Sequence, residues 1–229
     1  MPNLKIDRPF RPNGLENQMQ QGSYGRTWLL AGVLMGLSFS LCAHATGNAA
    51  LGKKKFYTCY GCHGIPNYRN AYPAYRVPKL RHQHAAYIIA ALHEYKAGER
   101  PHPTMHAQAS SLSDQDMEDI AAYLQGPEPI APSTQLTGKM PPQAQTCAAC
   151  HGANGTGIAA PLVPKPPILA GQHEDYLIQA LDQYRSGRRK NPIMMGMARS
   201  LSSEADVRIV AHWFASQHSA LATATPDSK

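Results

Sequence analysis

The sequence predicts an all-α protein built as two tandem copies of one small domain, and three observations carry that prediction. The first is repetition at a fixed offset. Tyr95 to Arg100 (YKAGER) is answered 89 residues later by Tyr184 to Arg189 (YRSGRR), His102-Pro103-Thr104-Met105 by Asn191-Pro192-Ile193-Met194, and Leu112-Ser113 by Leu201-Ser202. Similarity at one offset means duplication, hence two like folds. The second is helical periodicity. Tyr87, Ile88, Ala91, Leu92 and Tyr95 fall on one face and end at Gly98; Tyr176, Leu177, Ala180, Leu181 and Tyr184 do the same and end at Gly187. The third is the lack of any segment with the period-two alternation of a half-buried strand.

The elements follow in order. A first helix is expected around Gly52-Lys53-Lys54-Lys55-Phe56. The second copy has Gly138-Lys139-Met140-Pro141-Pro142 there, with proline where a helix would start. Middle helices cover 85–97 and 176–186. Closing helices run from about Ser113 to Gln125 and from Ser202 to Gln217, each serine an N-cap followed by acids. Residues 127–137 form a semi-rigid Pro-rich connector between a first domain at 46–126 and a second at 138–220, with a short tail at 221–229. About 80 residues per copy is little material for an apolar core, so each copy needs something else to bury.

Two copies of a second signal supply it: Cys59-Tyr60-Gly61-Cys62-His63 and Cys147-Ala148-Ala149-Cys150-His151. In a C-x-x-C-H motif two thiols one helical turn apart reach the vinyl groups on one haem edge and form thioethers, and the next residue offers the iron an imidazole. The sequence therefore predicts two covalent haem c groups, held by Cys59, Cys62, Cys147 and Cys150, with His63 and His151 as axial iron ligands. A four-cysteine zinc site or two disulfides would use the same thiols but leave both histidines unexplained.

Each iron keeps a second axial position. Met105 and Met194 stand at matching places, each in an x-Pro-x-Met setting seven residues before a Leu-Ser helix start. A Pro-containing loop would carry each thioether to iron, and the soft sulfur favours ferrous iron and raises the potential. His102 and His106 flank Met105 and are the competing donors. Met117, Met140, Met195 and Met197 read as packing residues, and His82, His84, His93, His173, His212 and His218 as surface or helix residues. The loop from Tyr68 to Arg76 carries Arg69, Tyr72, Tyr75 and Arg76, which suit haem propionates, an interdomain face or plain loop packing.

The apolar run from Leu29 to Ala45 follows Arg26 and ends Ala43-His44-Ala45, the pattern of a secretory signal cleaved after Ala45. It is short for a membrane span, and an uncleaved anchor is the alternative. Residues 1–45 would then leave with Cys42, and export to the periplasm fits covalent haem attachment. The chain's net charge of +7 and pI near 9.2 would be partly offset by haem carboxylates. No Arg/Lys stripe interleaved with aromatics marks a nucleic-acid partner.

With these residues in view the chain resembles the cytochrome c4 family of dihaem cytochromes c. The likeness runs from about Ala49 to Gln217. It rests on the paired C-x-x-C-H, Met194-Met195-Gly196-Met197, and the Pro-x-Leu and Leu-Ser steps. The resemblance implies two class I cytochrome c folds packed face to face, with Met194 as the ligating methionine. It also implies that the Pro78 and Pro167 carbonyls accept a hydrogen bond from the ligating imidazoles. The first copy reads Met105-His106-Ala107-Gln108 and so departs from the family's M-x-G-M. The implied role is periplasmic electron transfer, without substrate chemistry, from a donor such as a quinol-oxidising complex to an acceptor such as a terminal oxidase or reductase, with room for peripheral contact at the membrane surface. Two other roles use the same motifs. One is a cytochrome subunit of a dehydrogenase complex. The other is a dihaem enzyme, which needs an exchangeable ligand position and would draw on His102 or His106.

Overall fold

Every regular element among the described residues is helical. The computed structural model describes residues 47–71, 74–127, 135–157 and 165–226. The expected leader with Cys42, Tyr72 and most of the Pro-rich connector lie outside them. The first copy contains α1 (Ala49–Lys55), a 3-10 turn (Phe56–Cys59), α2 (Tyr60–His63), α3 (Ala85–Lys96), α4 (Pro103–Ser110) and α5 (Asp114–Gln125). The second contains a 3-10 turn (Pro142–Ala144), α6 (Gln145–His151), α7 (Glu174–Arg185), α8 (Pro192–Arg199) and α9 (Glu204–Ser216). Only two isolated β-bridges occur among these residues, Arg69 with Arg76 and Arg81 with Ala222.

Caps fix the helix starts. Ser113 and Asp116 form a capping box at α5, and Ser203 and Asp206 form its equivalent at α9. The second cap is therefore Ser203, one residue later than expected; Ser202 instead donates its hydroxyl to Asp206 at 2.9 Å. Met105 and Met194 lie in short helices, α4 and α8, rather than in loops. The prolines are the reason. Each sits in the first turn, where its fixed φ suits a helix and its missing N–H costs nothing. His102 and Asn191 then cap the methionine amides at 3.2 and 3.0 Å.

α1 packs across α5 at close quarters. Asn48 caps α1 with its side chain and gives its own N–H to Asp119 Oδ1 at 2.7 Å. Lys55 reaches the same buried carboxylate at 2.6 Å. Gly52 lies so close to the Asp119 carbonyl that a Cβ would overlap it. Among the described residues the second copy has no such helix. There the Gln217 amide exchanges two hydrogen bonds with the Thr137 backbone, at 2.9 and 3.2 Å, and ties the incoming chain to the end of α9.

The copies complete each other's cores. Tyr75 of the first belongs to the cluster of Tyr176, Leu177, Val207, Val210, Trp213 and Phe214 in the second. In the other direction, the segment after α9 returns to the first copy. Arg81 and Ala222 exchange backbone hydrogen bonds at 2.9 and 3.0 Å, the Ala224 N–H donates to the His63 carbonyl at 3.2 Å, and Ala224 joins the cluster of Phe56, Ile88, Ile120 and Leu124. Residues 221–224, set off by sequence as the start of a tail, are thus a packed strap. Gly52→Ala is expected to lower stability by about 3 kcal/mol through overpacking at the α1–α5 crossing, whereas Gly61→Ala, in a helix where a Cβ meets nothing within 4 Å, should leave stability unchanged or raise it by up to about 1 kcal/mol. Denaturant titration of the two variants checks the contrast.

Candidate haem sites

Each C-x-x-C-H ends a short helix, which places its cysteines one turn apart with the histidine next to them. All four thiols are unpaired and half-buried. Burial pushes the Cys59 and Cys147 thiols above their ordinary pKa. A redox-active C-x-x-C shows the opposite shift. Among the described residues no group of three or more His, Cys, Asp or Glu side chains is placed to hold a metal ion, so the two cysteine pairs do not converge into one zinc site.

The histidines are set by one bond each. His63 Nδ1 lies 3.2 Å from the Pro78 carbonyl, and His151 Nδ1 lies 3.1 Å from the Pro167 carbonyl. A carbonyl only accepts, so Nδ1 carries the proton and donates it, and Nε2 is left with its lone pair. Burial holds the His63 imidazole down to about 4 and lowers that of His151 as well, against a smaller upward pull from the proline carbonyls. Both rings are therefore neutral near pH 7 and present Nε2 as a donor atom, the state that an iron ligand requires. Phe56 and Phe214 pack against them at 6.5 Å between centroids.

The methionines and their rivals differ in what they already do. Met105 and Met194 are half-buried. His102 Nδ1 accepts the Met105 N–H, which in the neutral ring puts the proton on Nε2 and leaves no lone pair there. His106 is exposed and donates Nδ1–H to the Tyr95 carbonyl at 2.8 Å. Met117 is fully buried in the first copy, and Met140 packs against the core of the second.

The face between the copies is polar, pseudo-symmetric and largely invisible to the motif reading. Gln83 donates to the Ile168 carbonyl and accepts the Ile168 N–H, at 3.0 and 2.9 Å. Gln172, its repeat partner, does the same to the backbone of Lys79, at 3.0 and 2.9 Å. Each glutamine also accepts the N–H of the histidine after it, His84 or His173. Those two histidines, expected at the surface or on helices, are buried here at the starts of α3 and α7. Burial, then Arg76 and Lys79, bring His173 down to about 4. Arg76 and Arg69 close the face on Asp175, at 3.0 and 3.4 Å. Burial alone would raise the Asp175 carboxyl, but the Arg76 backbone N–H and guanidinium hold it below its usual value.

At the centre lie two buried arginines, Arg100 and Arg189. Arg100 stacks over Tyr87 and Tyr95 and donates to the Tyr176 hydroxyl at 2.7 Å; Arg189 stacks over Tyr184. Glu94 lies 3.7 Å from Arg100, but its repeat equivalent is the neutral Gln183. Arg100 Nε and Nη1 and Arg189 Nε have no hydrogen-bond partner among protein atoms. Burial raises the Tyr176 phenol, yet the two arginines outweigh it and bring the group down to about 8. A buried double positive charge with open donors calls for anions, and the carboxylates of two haems are the anions this site fits. The sequence signal was present, since both arginines fall in the matched Tyr-x-x-Gly-x-Arg segments, but a motif search for ligands passes over them.

A Cytochrome c family model matches residues 49–126 and 138–217. Cytochrome c4 of Pseudomonas aeruginosa is 33% identical over 205 residues, covering 83% of this chain and 98% of that protein. The crystal structure of reduced recombinant cytochrome c4 from Pseudomonas stutzeri superposes with a TM-score of 0.58 at 28% identity, over 75% of this chain and 100% of the other. A thiosulfate dehydrogenase electron acceptor of Stutzerimonas stutzeri is 33% identical over 141 residues, 54% of this chain and 63% of that one.

Asp175→Asn is expected to cost about 1–2 kcal/mol at pH 7. Because the folded carboxyl is depressed, its contribution is complete above the unfolded value near 4 and is lost as pH falls through the folded value. The stability gap between wild type and variant should therefore narrow as pH falls below the unfolded value near 4, which unfolding curves across pH 2.5–7 check.

Proposed function

This chain belongs to the cytochrome c4 family and carries two haem c groups, and from that premise we propose that it is an exported dihaem electron carrier of a respiratory chain, with the periplasm as its compartment. Each haem, when bound, takes up or releases one electron by cycling its iron between ferric and ferrous states. Cys59 and Cys62 tether one haem and Cys147 and Cys150 the other. His63 and His151 offer Nε2 to iron, while Pro78 and Pro167 fix their orientation and basicity. Met105 and Met194 would each offer a thioether sulfur to an iron.

The paired imidazole–proline bonds carry this reading, because they present one neutral donor atom per copy in the same way twice. His102 Nδ1 accepts the Met105 N–H, which leaves no lone pair on its Nε2, and that supports Met105 over His102 as the first copy's ligand. With one histidine and one methionine for each iron, no position would be left for a substrate, and that supports a carrier over an enzyme. The apolar run at 29–45 and the haem motifs both support export. Among the described residues no helix is long and apolar enough to cross a membrane.

One comparison favours a second reading of the partner. Likeness to a thiosulfate dehydrogenase electron acceptor supports service to a dehydrogenase as electron donor, in place of a quinol-oxidising complex. The chemistry of this chain is the same in both cases, with a terminal oxidase or reductase downstream.

The oxidised protein should show the near-infrared band of sulfur-to-ferric ligation at the intensity of two haems. Met194→His should remove about half of it and lower one potential, because nitrogen stabilises ferric iron more than a thioether does. Met105→His should do the same to the other half. A wild-type band of half intensity would assign a nitrogen ligand to the first haem. Fast carbon monoxide binding to the reduced wild type would reveal an open iron and favour an enzyme.

A further inference from the structure

The two copies differ most where α4 and α8 face solvent. In α8 Ile193 is 65% exposed and Met197 38% exposed. They are four residues apart, so they share a face with exposed Pro192 beside them. The first copy has Thr104 and Gln108 at the matching positions. Around this apolar face stand Arg188, Lys190 and Arg199, all exposed; their counterparts are Glu99, Pro101 and Ser110. Duplication from one ancestor would leave the two faces alike, yet one is polar and carries an acid, Glu99, and the other is apolar and cationic.

The charge on the second face is available. Arg199 donates to the Arg185 carbonyl at 3.3 Å and Arg188 to the Ser186 hydroxyl at 3.2 Å. These bonds hold both guanidiniums at the end of α7 without neutralising them. None of Arg188, Lys190 and Arg199 pairs with a carboxylate among the described residues. The acids nearby are otherwise placed. Asp182 faces Arg185 at 3.6 Å, and Asp206 is held by Ser202, Ser203 and Gln143. Glu99 is exposed at the border, where its backbone carbonyl accepts the Lys190 N–H at 3.0 Å.

The face also reaches a cysteine of the second C-x-x-C-H motif. Met197 and Cys147 line one cleft with Leu201 and Thr146. The apolar patch therefore abuts the cysteine that tethers the second haem, and Met194 lies on the same short helix. An exposed apolar centre with a cationic rim is built for a partner of opposite charge. The rim steers encounter, and the centre excludes water at contact.

We propose that the Pro192–Met197 face of the second copy, with Arg188, Lys190 and Arg199, is the docking surface for an acidic redox protein, and that electrons leave or enter through the second haem. The proposal rests on the carrier reading above and adds the partner's chemistry and the port.

The test uses the reduced holoprotein and the acidic blue-copper protein plastocyanin in its oxidised form as the probe, with one electron passing from ferrous haem to cupric copper. Arg188→Glu/Arg199→Glu should lower the second-order rate at low ionic strength by about tenfold and flatten its fall with added salt. Lys53→Glu/Lys54→Glu makes the same charge change on exposed residues of the first copy and should leave the rate within about twofold. The proposal is overturned if the two pairs slow the reaction equally, if neither does, or if wild-type protein reacts with plastocyanin at a rate independent of salt. Oxidation by ferricyanide, followed in parallel, keeps the two readings apart. If each variant still gives up two electrons per chain to ferricyanide, the carrier reading stands whatever plastocyanin does; if the wild type does not, that reading fails first.

Discussion

In each copy an imidazole gives its Nδ1–H to a proline carbonyl, and the remaining architecture serves that arrangement. The bond chooses the tautomer, aims Nε2 and pairs an N–H that burial would otherwise leave without a partner, while burial itself keeps the ring neutral. It needs a helix that ends at the histidine and a proline fifteen or sixteen residues on, returned to the same place by the chain between. The interval differs in the two copies, fifteen residues against sixteen, while the two bonds agree within 0.1 Å.

Two small copies meet this requirement by sharing material. The first copy lends Tyr75 to the second core, and the second returns Ala224 to the first. The glutamine clasps at Gln83 and Gln172 turn what would be two sets of unpaired backbone groups into four cross-copy hydrogen bonds. Removing either copy would expose tyrosines, arginines and amides that find their partners across the face. The two copies thus form one compact unit with two sites. The charge buried between them in Arg100 and Arg189 is the field in which both sets of haem carboxylates would sit.

Much of this was legible in the sequence. The repeat, the helices and the paired C-x-x-C-H motifs came from spacing alone. So did the candidate methionines, because a ligand needed twice stands out against residues matched only once. What spacing did not reveal is long-range. Ser203 displaced Ser202 as a cap because Asp206 is three residues from Ser203, the reach of a capping box. Met105 and Met194 fell in helices because the prolines before them favour a first turn. The strap at 221–224 has no motif and no repeat partner, and its pairing with Arg81 and His63 spans most of the chain. Arg100, Arg189, Gln83 and Gln172 are ordinary surface types by composition, and the packing of the two copies on each other makes them interior.

The central claim is that each copy is a covalent haem site. It is tested most directly by the mass of the holoprotein after denaturation in acid and organic solvent, followed by digestion. The account predicts two haem additions per chain, one on the peptide with Cys59 and Cys62 and one on the peptide with Cys147 and Cys150. A bare polypeptide mass, a single addition, or peptides joined by disulfides would contradict it.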